Sequence, residues 1–149
     1  MTQVAVSGSV PRFTQRQIST YVRKVILSLD KIVHLHRELG AVSIAFVDDD
    51  AMRTLNRNFR HQNKTTDVLT FPADDSYAEP SAKGRPIGDI VISLDQARRQ
   101  AIDENHSLVT EVRYLILHGI LHALGYDHET DNGEMNAMDL DVRRALGLE

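Results

Sequence analysis

Ile87-Gly88-Asp89-Ile90-Val91-Ile92-Ser93-Leu94-Asp95-Gln96 is the stretch whose reading decides the fold. Its first part, Ile87 to Ile92, is a short apolar run rich in β-branched residues and reads as a strand. At Ser93 the pattern changes. Ser93 with Gln96 three residues on is a capping box, opening a helix to about Asn105. Upstream, Val42 to Val47 reads as another strand, bounded by Gly40 and by Asp48-Asp49-Asp50. One of these aspartates should cap a helix to about Phe59, with Met52, Leu55 and Phe59 on its apolar side. Between the two units, Val68 to Phe71 is a strand stopped by Pro72, and the polar segment Ala73 to Pro86 is a loop. Val4 to Val6 reads as a short first strand. Thr14-Gln15-Arg16-Gln17 is a capping box before Ile18, Tyr21, Val22, Val25, Ile26 and Leu29 at helical spacing. A helix is expected over about 107–124, and a last one, capped by Asp131 with Glu134, runs toward Leu146 and is ended by Gly147. There is no repeat and no linker. The expectation is a single α/β (α+β) domain over 1–149, with a small mixed sheet of about four strands packed with helices.

The chain has 149 residues, enough for one domain with a real core. Cys is absent, so no disulfide framework exists and any metal must use His and carboxylate. The net charge of −4 argues against broad adhesion to nucleic acid, though not against a local basic patch. Met1 to Pro11 has no apolar core of a signal peptide. The longest apolar stretch, Tyr114 to Tyr126, is too short to span a bilayer and carries two histidines. A soluble cytoplasmic protein is the expectation.

His118-Gly119-Ile120-Leu121-His122-Ala123-Leu124-Gly125-Tyr126-Asp127-His128 holds three of the seven histidines. His118 and His122 are four apart, so on a helix both imidazoles project from one face. Gly125 is a natural helix stop, after which the chain can bring His128 toward the same point. A histidine pair alone is a weak signal. The third histidine beyond the stop, and an apolar helix on which unpartnered imidazoles would lose solvation, turn it into a metal site. Three neutral imidazoles suit zinc, one per chain, and leave the fourth position open, as in catalytic sites.

Arg53, Arg57 and Arg60 lie at spacings of four and three, away from the apolar side of their helix, with His61 and Lys64 extending the run. A solvated helix face is the ordinary reading. The functional one is a phosphate clamp, since guanidinium binds two phosphate oxygens at once. Asp89, acidic inside an apolar strand, is either a satisfied structural acceptor or the group that orients a metal-bound histidine.

Asn56…Arg60…Thr66-Asp67-Val68-Leu69…Phe71-Pro72, then Gly88-Asp89-Ile90, then the histidine motif, together resemble the YbeY family of bacterial zinc-dependent endoribonucleases. The matching motifs fall within about residues 42–128. Thr65, where the family often has Pro, and Thr70, where Ser is usual, are mild departures. The resemblance implies that His118, His122 and His128 bind Zn(2+) and that Arg60 acts on the scissile phosphate as the catalytic residue. It implies action in ribosomal RNA 3′-end maturation and ribosome quality control, with single-stranded RNA and the small ribosomal subunit as partners.

His-x3-His-x5-His is also the spacing of metzincin peptidases, which carry a Glu general base after the first histidine. Here that position is Gly119. A peptidase of that kind, or a non-enzymatic ribosome-assembly factor with structural zinc, are the alternatives. The attacking group and the general acid stay open, with Asp127 and His61 as candidates for the acid.

Overall fold

The computed structural model describes residues 2–33, 40–73, 86–127 and 130–148. Strand β1 (Gln3–Ser7) is followed by helix α1 (Gln15–Val33). The expected capping box forms reciprocally: the Gln17 N–H donates to Thr14 Oγ1 at 3.1 Å, and the Thr14 N–H donates to Gln17 Oε1 at 2.9 Å. Strand β2 (Ala41–Val47) leads to helix α2 (Asp49–Arg60). Of the three candidate aspartates, Asp48 is the cap, accepting the Ala51 N–H at 2.8 Å. Then come strands β3 (Val68–Pro72) and β4 (Gly88–Ser93) and helices α3 (Leu94–Asp103), α4 (Leu108–Ala123) and α5 (Glu134–Leu146). Of the expected loop Ala73 to Pro86, residues 74–85 lie outside the described residues.

The four strands form one mixed sheet in the order β1-β2-β4-β3. β1, β2 and β4 run parallel, and β3 pairs antiparallel with β4 at the edge. Side chains alternate across a strand. Ile44, Ile90 and Ile92 therefore share one face, and all are buried. That face carries α4, which in turn packs on α1. The opposite face carries α2 over β3: the Phe59 ring meets Phe71 edge-on with centroids 5.2 Å apart. The structure is the expected α/β arrangement, with five helices and four strands among the described residues.

Helix α4 is nearly apolar all round, as a helix buried between layers should be. Ser107 caps it, accepting the Thr110 N–H at 3.1 Å. It packs tightly on the sheet at Gly119. A Cβ there would stand 2.6 Å from Ile90 Cγ2.

Two local expectations differ. The Ser93–Gln96 box is one-sided: Ser93 Oγ accepts the Gln96 N–H at 3.2 Å, but the Gln96 side chain turns to Arg99. Asp131 and Glu134 do not cap α5 directly. Gly133, at φ 99°, occupies the cap position. Asp131 instead accepts from the Gly133 and Met135 N–H groups, and Glu134 from that of Asn132. Asp131 thus satisfies one orphan donor of the first turn, that of Met135, from outside the cap position.

Candidate active site

The last turns of α4 carry the two imidazoles. Both line a cleft beside β3, and both are half-buried. His118 Nε2 and His122 Nε2 stand 3.0 Å apart, with ring centroids 4.5 Å apart and planes at 77°. Two nitrogens bound to one zinc at 2.0–2.1 Å and a tetrahedral angle are about 3.3 Å apart. The observed 3.0 Å is the distance of an N–H···N hydrogen bond and is close to the separation of two ligands on one ion. The negative end of the helix dipole lies there too, and favours a cation. Gly125 takes φ 102° and ends the helix as expected; the Gly125 N–H donates to His122 O at 3.0 Å and the Tyr126 N–H to Leu121 O at 3.1 Å. The third expected ligand, His128, lies outside the described residues. Among the described residues no group of three or more metal-ligating side chains comes together.

The imidazoles open into a cleft of about 360 Å³ between α4 and the edge strand β3. Its other walls are Arg60, Thr66, Asp67, Thr70 and Asp127. Arg60 is the last residue of α2 and is exposed. It has no hydrogen-bond or ion-pair partner among the described residues. Its neighbour His61 takes the left-handed conformation at φ 57°, turning the chain from α2 toward β3. Buried Asn56 fixes that turn, donating from Nδ2 to Lys64 O at 2.9 Å. The cleft therefore combines two imidazoles, an unengaged guanidinium and hydroxyl and carboxylate groups, a set suited to an anionic ester.

Asp67 is braced on both oxygens. Oδ1 accepts the Val68 N–H at 2.8 Å, and Oδ2 accepts from Gln100 Nε2 at 3.2 Å. Thr70 Oγ1 donates to Gly119 O at 3.4 Å, tying β3 to the histidine-bearing helix. Further back, Asp49 joins α2, α3 and the segment before β3. It accepts from Ser93 Oγ at 2.9 Å, Thr65 Oγ1 at 3.1 Å and Arg99 Nη2 at 2.7 Å. Desolvation pushes its carboxyl up, but the bonds from Arg99, Ser93 and Thr65 outweigh that and hold it below the usual carboxylate range.

Several sequence-derived expectations are corrected. The basic stripe does not act as a unit: Arg53 pairs with Asp50 at 3.2 Å, and of the stripe and its extension only Arg60 lines the cleft. Arg57, His61 and Lys64 do not line it; Arg60 does because it ends the helix beside β3. Asp89 cannot orient a metal-bound histidine. It alternates with Ile90, so it lies on the sheet face away from α4, where it accepts from Ser43 Oγ at 2.5 Å. Asp127 does line the cleft. Asp67 and Thr70 were quoted in the motif without a role; only the β3–α4 packing shows that they face the imidazoles.

Residues 4–147 match the family profile described as Endoribonuclease YbeY. An endoribonuclease YbeY from Nautilia profundicola is 45% identical over 107 residues, 72% of this chain and 73% of that protein. Another, from Nitratiruptor sp., is 49% identical over 98 residues, 66% of this chain and 64% of that protein. A solution structure of a Thermotoga maritima protein superposes with a TM-score of 0.58 at 26% identity, covering 97% of this chain and 90% of that one.

Proposed function

The chain belongs to the YbeY endoribonuclease family, and on that premise we propose that it is a zinc-dependent endoribonuclease that cuts single-stranded RNA. The observation that carries this is the pair of Nε2 atoms 3.0 Å apart, facing a cleft that also receives Arg60. His118 and His122 hold the zinc, one per chain, with His128 as the third ligand. A bound zinc supplies Lewis acidity, by which water becomes a nucleophile near neutral pH and charge on a phosphate oxygen is offset.

The protein's own groups do the rest. Arg60 receives the phosphodiester and binds the negative charge that grows on it in the transition state, where a prepositioned cation counts most. Its guanidinium is unengaged in the described structure, so no existing ion pair has to break. Asp67 is held by hydrogen bonds from Thr66, Val68 and Gln100 and keeps the lip of the cleft in place. Thr70 fixes the distance between β3 and the ligand helix. Of the two carboxylates in the cleft, Asp67 and Asp127, Asp127 is the candidate to hold or pass a proton at the leaving oxygen.

A peptidase reading loses ground on the geometry of position 119. The side chain there would point at Ile90, in the sheet, and a Cβ alone already collides. A carboxylate base could not be housed at that place. We further infer that the substrate is ribosomal RNA near its 3′ end, met on the small ribosomal subunit in the cytoplasm. No helix among the described residues is long and apolar enough to cross a membrane.

The test is cleavage of defined single-stranded and duplex RNAs by zinc-loaded and chelated protein, with elemental analysis of wild type and His122→Ala. Metal-dependent cutting of the single strand is expected, with loss of zinc and of activity in the variant. Equal zinc in both proteins would remove the ligand assignment. A variant that cuts as well as wild type would point to a contaminating nuclease.

A further inference from the structure

A second cavity, about 540 Å³, lies where the beginnings of α1 and α4 meet the residues after α5. It shares no lining residue with the cleft. Arg12, Arg16, Lys24 and Arg113 line it, and among the described residues no carboxylate does. Among the described residues none of the four makes an ion pair. A solvated basic face normally carries acids among its cations. Here the first acidic residue of the whole chain is Asp30, although the chain as a whole has a net charge of −4. The first turn of α1 has no acidic residue and carries Arg16, where the helix dipole disfavours a cation. Arg113 packs on the Phe13 and Tyr21 rings, but no ion pair among the described residues accounts for Arg12, Arg16 and Lys24; an anion bound there would.

The shape says which anion. Arg16, Thr20 and Lys24 follow at steps of four along one side of α1, and eight residues of helix rise about 12 Å. Arg12 continues the row at one end, and Arg113 faces it from α4. A single phosphate needs cations that converge; a row suits consecutive phosphates of a strand. Arg113 is held ready: its guanidinium lies 5.2 Å from the Phe13 ring centre, and Tyr21 Oη donates to Arg113 O at 2.7 Å. We propose that this surface is a second RNA-binding site, which takes the backbone of single-stranded RNA away from the cleft and raises affinity for long substrates. The inference rests on the endoribonuclease reading above.

The test uses Arg16→Glu/Lys24→Glu and, as a milder pair, Arg16→Ala/Lys24→Ala. Both residues are exposed, so unchanged melting is expected and is checked first. Binding of an unstructured 30-nucleotide RNA (a length of about that order covers several phosphate contacts) is followed over a range of salt. Each lost phosphate contact on a single strand should flatten the slope of log K against log salt by about 0.7, so the alanine pair by about 1.4. For the long RNA, KM should rise on the order of 10-fold with kcat retained, while cleavage of a very short oligonucleotide stays at the wild-type level. Wild-type slope and KM in both variants, while wild type cuts RNA normally, would overturn the second site alone. The same result with lost binding of an acidic protein would give the surface to a protein partner, and also overturn it. A wild type that neither binds nor cuts RNA would overturn the endoribonuclease reading along with it.

Discussion

Replacing Gly119 with Ala sets two opposed effects against each other. In a helix interior the change is favourable by about 1 kcal/mol, because glycine loses more backbone freedom on folding. At this position the new methyl would stand 2.6 Å from Ile90 Cγ2 and 3.2 Å from Ile90 Cδ1. Ile90 is fully buried on β4, between β2 and β3, and its Cγ2 is fixed to a branched Cβ. It has nowhere to turn, so α4 must lift from the sheet. Overpacking of this kind costs about 1–3 kcal/mol. With the contact this short the upper half applies, leaving a net loss of about 1–2 kcal/mol. For a chain of this size that lowers the melting temperature by roughly 2–8 °C. The same lift carries His118 and His122 away from β3, so RNA cleavage should fall by on the order of 10-fold or more even in the folded fraction. Calorimetry with a double-mutant cycle checks the cause. Ile90→Ala alone should cost about 2–5 kcal/mol, and in its background the alanine at 119 should become neutral or favourable, with a coupling of about 1 kcal/mol or more. A Gly119→Ala protein that melts above wild type, or energies that simply add, would refute the packing argument.

Arg60→Ala should keep the melting temperature and the zinc content of wild type, whatever that is measured to be, since the side chain is exposed and without a partner among the described residues. It should lose on the order of 10²-fold in kcat/KM on RNA, with Arg60→Lys recovering only part; near-normal turnover would place Arg60 outside the site. Asp49 gives an acid-range prediction. Its folded carboxyl sits below the ordinary value of about 3.8, so its stabilising contribution is present above that pH and is lost as pH falls through the lower folded value. Asp49→Asn should therefore be less stable than wild type at pH 7, with the gap closing below about pH 4 in urea titrations. A gap that stays constant with pH would show that the aspartate acts through packing alone.

Much of the architecture can be read from local patterns. Ser93, Thr14 and Gly125 mark helix ends through bonds to residues three to five away, and such bonds are visible in sequence. The β3 placement is different. Nothing in Val68 to Pro72 says that it runs antiparallel at the edge, because that follows from pairing with β4, some twenty residues later. The histidine pair was legible because helix geometry fixes its spacing. Arg60 was legible as a cation but not as the one member of its stripe that reaches the cleft; that depends on where α2 stops relative to β3. Asp89 misled for a related reason. Its residue type suggested a partner for a ligand, and its parity along the strand, once Ile90 is known to face α4, sends it to the other face. Asp67 and Thr70 needed the β3–α4 contact before any role could be given to them.

The order in which the cleft's parts occur along the chain has a consequence for synthesis. Arg60 is made early and the β3 wall soon after, but β3 has no strand to pair with until β4 has emerged. The imidazoles come later still, on a helix that packs against that completed sheet. A nascent chain halted before residue 118 holds a guanidinium and half a wall, and nothing to grip a metal. On the proposed reading such a chain could not cut the RNA of the particle that makes it, and the cutting centre is complete only once most of the chain is in hand.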